Sequence, residues 1–118
     1  MFRVENQEIA MTRGDTGSVK FKATGYEFAE GDRALFTVKS ADGTVVKQEQ
    51  CEIDESGEFT IYFTNAETDY LSPGSYSWDV RFVIHPYYND QGAIVSGDHV
   101  HTPFLPKTLT LLPAVGDI

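Results

Sequence analysis

His99 and His101 lie two residues apart, directly after Asp98, with His85 earlier in the same stretch. Two imidazoles and a carboxylate make the ligand count of a zinc or iron centre, and an extended chain puts His99 and His101 on one face. A two-residue spacing recurs by chance, and no second residue declares itself as an outer hydrogen-bond partner. The pair is therefore read as solvated, and no metal or other cofactor is expected. Asp54-Glu55 and Asp15 supply carboxylates of the kind that work in pairs in glycosidases, but such pairs need a cleft and a separation of about 5 to 9 Å. Asp and Glu beside Gly or Ser are ordinary turn formers. Serine, histidine and aspartate all occur, yet without a nucleophile elbow, and Gly14-Asp15-Thr16-Gly17 lacks the following helix of a phosphate-cradling loop. No catalytic residue is expected, and an enzyme would need a cleft that gathers His99, His101 and Asp98.

Binding residues have a better candidate in the connection 85–106. A loop this long in a compact chain is functional or partly structured. It carries Tyr87, Tyr88, Asn89, Asp90, His99, His101 and Phe104. Exposed aromatics beside polar groups are the composition of a contact surface. The plainer reading is an extra hairpin, Tyr87-Tyr88 pairing with Ile94-Val95 across a turn at Asn89 to Gly92; a protruding hairpin can also bind. Arg13-Gly14-Asp15 resembles the integrin-binding tripeptide, but three residues recur by chance and are read as turn chemistry.

Bulk properties narrow the partners. The 118 residues suit one domain, 41% of them apolar and 13% aromatic. A net charge of −9 repels nucleic-acid phosphates and anionic lipid, so neither nucleic acid nor membrane is expected. The start has no apolar run of the signal-peptide kind, and no stretch reaches the roughly 20 apolar residues of a helical span. A soluble, uncleaved chain is expected. The single cysteine, Cys51, excludes an internal disulfide and a thiolate cluster, and its alternation with Ile53 marks a small core residue.

The elements that must position these residues are strands, because a period of two recurs and a period of 3.6 hardly does. Inward faces are Val19-Phe21-Ala23, Ala34-Phe36-Val38, Phe59-Ile61-Phe63 and Leu109-Leu111, and "EIAMT" alternates more weakly. Asp42-Gly43 signals a hairpin, whose return strand 44–53 reads as a charged edge. A bulged three-residue loop setting Val46 opposite Val38 keeps the apolar faces together. Thr64 and Glu67 stand at capping-box spacing, predicting one helical turn over 65–71 before Ser72-Pro73-Gly74. Tyr76, Trp78, Val80, Phe82 and Ile84 share the core face of a central strand. The sum is seven or eight short strands in an all-β sandwich or small barrel. Antiparallel pairing is expected throughout, since crossover helices have no room.

Gly74-Ser75-Tyr76-Ser77-Trp78 resembles the tyrosine corner of immunoglobulin-like domains, which implies that the Tyr76 hydroxyl ties its strand to the preceding turn. Trp78 stands where that family has its second cysteine. Over nearly the whole chain, "RGDTGSVKF", "ALFTVK", "SGEFTIYFTNAETDYLSPGSYSWDVRFV" and "TPFLPKTLTLLPAVGD" follow one another in an order similar to small β-sandwich proteins of tailed bacteriophages and prophages. Arg13 to Thr16, Thr68 to Tyr76, Asp79-Val80 and Thr102-Pro103 carry the likeness. It implies an immunoglobulin-like antiparallel sandwich and a non-enzymatic role in virion structure or assembly. Its partners would then be other virion or assembly proteins, or copies of itself in a ring or trimer, in the virion or in the bacterial cytoplasm during assembly. Edge strands, the 85–106 connection and the apolar tail 113–118, with Leu112, Pro113, Val115 and Ile118 at that end, would make the contacts. A carbohydrate-binding or adhesion module on the same fold is the alternative, with Tyr87, Tyr88 and Tyr62 as stacking surfaces.

Overall fold

The computed structural model describes residues 1–5 and 7–114. Among the described residues, nine strands and one helical turn follow in order: β1 (Phe2–Glu5), β2 (Glu8–Thr12), β3 (Gly17–Lys22), β4 (Arg33–Lys39), β5 (Val45–Glu52), β6 (Glu58–Phe63), α1 (Asn65–Thr68), β7 (Gly74–Tyr88), β8 (Ile94–His101) and β9 (Lys107–Leu112). The ninth strand beyond the expected seven or eight is β1. It has one half-buried apolar residue, Phe2, and three exposed positions, too little alternation to read from sequence.

The strands form two layers, an all-β architecture. The larger sheet runs β1-β2-β9-β7-β4-β5, with β8 added to β7, and the smaller holds β3 and β6. The alternating apolar faces meet between the layers, because burying them there removes both from water. Phe36 packs edge-on against Phe63, Phe59 against Phe82, and Phe21 tilts onto Trp78. Trp78, Phe36, Ile61, Met11 and Val80 are fully buried, and full burial of each such side chain contributes about 1.5–3 kcal/mol. Strand β7 is central, with β4 along one side and β9 then β8 along the other.

Two expectations are corrected. Strand β2 pairs parallel with β9, Ile9 opposite Leu109. A parallel pair needs a long return but not a helical one, and here the rest of the chain, strands included, makes that return. At the β4–β5 hairpin, Lys47 rather than Val46 lies opposite Val38, and the bulge falls one step nearer the turn, where Lys39 faces Val45. Lysine takes the inward place because its charge is matched. Nζ donates to Glu67 at 2.5 Å, to Glu49 at 3.2 Å and to the Tyr62 carbonyl at 2.8 Å, and sits over the Phe63 ring. Glu49 in turn accepts the Tyr62 N–H at 3.2 Å. Side chains of β5 thus satisfy the free edge of β6 where no described strand lies beside it.

Helix α1 is shorter than the 65–71 expected, one turn whose Glu67 carboxylate accepts the Thr64 N–H at 2.8 Å. It is docked on the 13–17 turn: Thr68 Oγ1 accepts the Gly14 N–H and Asn65 donates to the Gly14 carbonyl. Arg13-Gly14-Asp15 is therefore part of a packed turn with Gly14 buried.

Candidate functional site: the β7–β8 hairpin

The 85–106 connection is mostly hairpin. Strand β7 continues past His85-Pro86 to Tyr88, and β8 returns antiparallel with Tyr88 opposite Ile94 and Tyr87 opposite Ser96. Val95 is an extra residue in this register, so only half of the expected Tyr87-Tyr88 to Ile94-Val95 pairing forms as written. The turn is closed by Asn89, whose Oδ1 accepts the N–H of Gln91 at 2.9 Å and of Ala93 at 3.0 Å. Asn89 therefore acts within the turn, and Asp90 is exposed at its tip.

His85 is the bend of the hairpin. Its φ of 52° lies in the left-handed region, which costs a non-glycine residue about 1–2 kcal/mol. Asp32, buried at 3% exposure, clamps the bend: Oδ1 accepts the His85 N–H at 3.0 Å and Oδ2 the Ala29 N–H at 2.8 Å. The His85 ring reaches across to β8, where Nδ1 meets Asp98 at 2.7 Å, and the Tyr87 hydroxyl donates to the other Asp98 oxygen at 2.8 Å. Hydrogen bonds from His85, then from Tyr87, hold the Asp98 carboxyl below its usual range, and the same bond pushes the Tyr87 hydroxyl up.

The residues singled out from sequence are not brought to one centre. His99 and His101 do share a face, their rings stacked 6.2 Å apart, with Tyr26 against His101. Asp98 bonds instead to His85 and Tyr87. Among the described residues no group of three or more His, Cys, Asp or Glu is placed to hold a metal ion. Phe104 is half-buried, edge-on to Trp78 at 5.6 Å, and Trp78 donates its indole N–H to the Thr108 carbonyl at 3.3 Å. Tyr87 and Tyr88 are exposed but are neighbours on a strand, which point to opposite faces, and Tyr62 belongs to β6 in the other sheet. The three tyrosines therefore share no stacking plane.

Elsewhere, the Tyr76 hydroxyl donates to the Ser72 carbonyl at 2.6 Å, closing the corner whose Gly74 has φ 146°. Cys51 is buried, and burial followed by the nearby Glu49 pushes its thiol up to about 12. A groove of about 530 Å³ between β5 and β6 is lined by Glu49, Glu52, Asp54 and Glu58, and neither His99 nor His101 borders it. The acidic groups at Asp54 and Glu58 are engaged in a turn: Asp54 Oδ1 accepts from Ser56 and from the Glu58 N–H, and Glu58 pairs with Lys20 at 2.5 Å.

Sequence reasoning missed Asp32, His85 with Asp98, and Lys47. Counting outward from the Asn89 turn finds His85 opposite Asp98 only if the extra Val95 is known. Nothing near Asp32 marks it as buried. The hairpin does not stand in isolation: Gln50 of β5 donates to the Gly92 carbonyl at 3.1 Å and accepts the Ile94 N–H at 2.7 Å.

No protein-family model and no curated protein matches the chain. Among the described residues no helix is long and apolar enough to cross a membrane.

Proposed function

We propose that this chain is a non-enzymatic structural or assembly protein of a tailed-phage or prophage virion, an immunoglobulin-like sandwich that works by protein–protein contact through its β7–β8 hairpin. One observation carries the contact reading. Of the eleven exposed large hydrophobics among the described residues, four lie on this hairpin, Tyr87, Tyr88, Val95 and Val100, and a fifth, Leu105, follows it in the 85–106 connection. Scattered apolar residues are normal on a surface, but a concentration within one stretch of chain marks an interface. The Asp32 clamp and the His85–Asp98–Tyr87 bonds hold that element in one shape, which lowers the entropy lost on docking. The phage assignment rests on the order of the quoted segments, and the immunoglobulin-like assignment on the Tyr76 corner within two β layers.

The test is to collect particles released by the bacterium that carries the sequence and measure this chain in them by mass spectrometry. A Val100→Lys, Leu105→Lys variant replaces the native chain in a parallel culture. The expected result is incorporation of the native chain and a drop of about tenfold or more for the variant, with its circular dichroism unchanged. Absence of the native chain from particles, or equal incorporation of the variant, overturns the reading.

A further inference from the structure

The groove between β5 and β6 is an open seam between the two sheets. Among the described strands β5 pairs with β4 alone and β6 with β3 alone. Alternate residues of a strand turn their N–H and C=O to the same edge. Those of Tyr62 turn to β5, where Glu49 accepts the N–H at 3.2 Å and Lys47 donates to the carbonyl at 2.8 Å. Those of Glu58 are closed by Asp54, whose Oδ1 accepts the N–H at 2.9 Å and whose own N–H donates to the carbonyl at 3.1 Å. Thr60 stands between them on the same edge and lines the groove. Neither its N–H nor its carbonyl has a hydrogen-bond partner among the described residues. The chain seals this edge on both sides of Thr60 and leaves one backbone donor and one acceptor open between.

An open backbone pair on a strand edge is what an extended segment of another molecule engages. The lining says which segment. Cys51, Ile53 and Phe59 supply buried apolar surface, and Glu49, Glu52, Asp54 and Glu58 stand around it with one ammonium, Lys20, among the lining residues. Even with Lys47 bonded to Glu49 and Arg33 4.0 Å from Glu52, negative charge is in excess. We infer that the groove receives an extended segment of a partner protein in which basic and small apolar residues alternate, paired antiparallel to β6 through Thr60. The residue opposite Thr60 donates its N–H to the Thr60 carbonyl and accepts the Thr60 N–H. The bridge stops there, because Tyr62 and Glu58 are already closed. Residues one away point between the sheets towards Cys51, Ile53 and Phe59, which small apolar side chains suit. The bridging residue and those two away share the outer face with Glu58, which basic side chains suit. The groove of about 530 Å³ falls within the range of about 300–1,000 Å³ of ligand clefts, room for a short stretch of chain. This surface is additional to the β7–β8 hairpin.

The probe is the peptide acetyl-Lys-Val-Lys-Val-Lys-amide carrying a fluorophore, titrated with the purified chain and read by fluorescence anisotropy. Saturable binding is expected. Methylating the backbone nitrogens of the three lysines removes every donor able to reach the Thr60 carbonyl and keeps the charge, and is expected to weaken binding about tenfold or more. A Glu52→Lys chain is expected to bind about threefold more weakly. The Glu52 side chain is 89% exposed, so the fold is retained. At saturating peptide the Thr60 amide is expected to exchange about fivefold or more slowly, with Val80 in the central strand unchanged. Absence of binding, indifference to Glu52→Lys, or an unprotected Thr60 amide overturns the inference. Equal binding of the methylated peptide overturns it too, because charge alone then explains the attraction. Spermidine that displaces the peptide at equal concentration does the same, since it carries charge with no backbone to pair.

Discussion

Asp32 illustrates how one side chain can hold a whole element. Its two carboxylate oxygens each take a backbone N–H, one from Ala29 in its own turn and one from His85 at the bend of the hairpin. Removing the carboxylate leaves two amide donors without acceptors and releases a residue held in a left-handed conformation. An Asp32→Ala change is expected to cost about 2 kcal/mol in chemical denaturation. It should also speed exchange of the His85 amide far more than that of Val80 in the central strand. Equal acceleration at both positions would mean that Asp32 supports the fold in general and not the bend. Asp32 was not legible in "EGDRA", because an aspartate between glycine and arginine looks like any turn residue until its partner 53 positions away is known.

At the scale of the element, β5 departs furthest from expectation. Its inward residues are Lys47, Glu49 and Cys51, a mixed face that alternation of apolar residues cannot identify. Pattern reading favoured Val46 inside, since an inward lysine costs several kcal/mol of desolvation when unmatched. The match comes from Glu67 in α1 and from Glu49 and Tyr62, groups the hairpin alone does not contain. Glu67 is held below its usual range, burial pushing it up and the Lys47 ammonium and Thr64 N–H more than reversing that. A Lys47→Met change keeps the packing and removes the charge. It is expected to cost about 2–3 kcal/mol, at or below the low end for breaking a buried pair, because Glu49 and Glu67 are 26% and 33% exposed and can be rehydrated. Urea denaturation checks it, and an unchanged or raised stability would show that the pair serves register alone.

For the molecule as a whole, acid is the sensitive direction. Asp42 is held at about 2 by the Ser40 hydroxyl and the Thr44 N–H, and Asp54, Glu58, Glu67 and Asp98 are also lowered. A carboxyl with a lowered folded pKa takes up its proton first in the unfolded chain. For Asp42 the contribution is therefore complete above the ordinary value of 3.8 and disappears as pH falls towards about 2. Lys20, raised chiefly by its hydrogen bond to Glu58, behaves oppositely, contributing below 10.5 and losing that contribution as pH climbs through its raised value. Denaturation midpoints measured from pH 7 down to pH 2.5 are expected to fall steadily below about pH 4, with a shallower fall in an Asp42→Asn variant. A flat profile across that range would contradict the assignment.

The sequence by itself determined the all-β class, the inward faces of β3, β4, β6, β7 and β9, and the burial of Trp78 and Cys51, because each follows from alternation within one segment. It also marked the 85–106 region as the place to look and foresaw a hairpin there. The tertiary structure alone decided the parallel pairing of β2 with β9, the inward Lys47, the bend at His85 and the turning of Asp98 towards His85. Each of these depends on a group far away in the chain, and local periodicity carries no information about which distant charge or edge will be brought alongside. The expectation of a docking tail falls partly on residues 115–118, outside the described residues; of the part described, Leu112 and Pro113 are exposed. The open edge of β6 at Thr60 belongs to the same class, since a strand is an edge only once every other strand has found its neighbour.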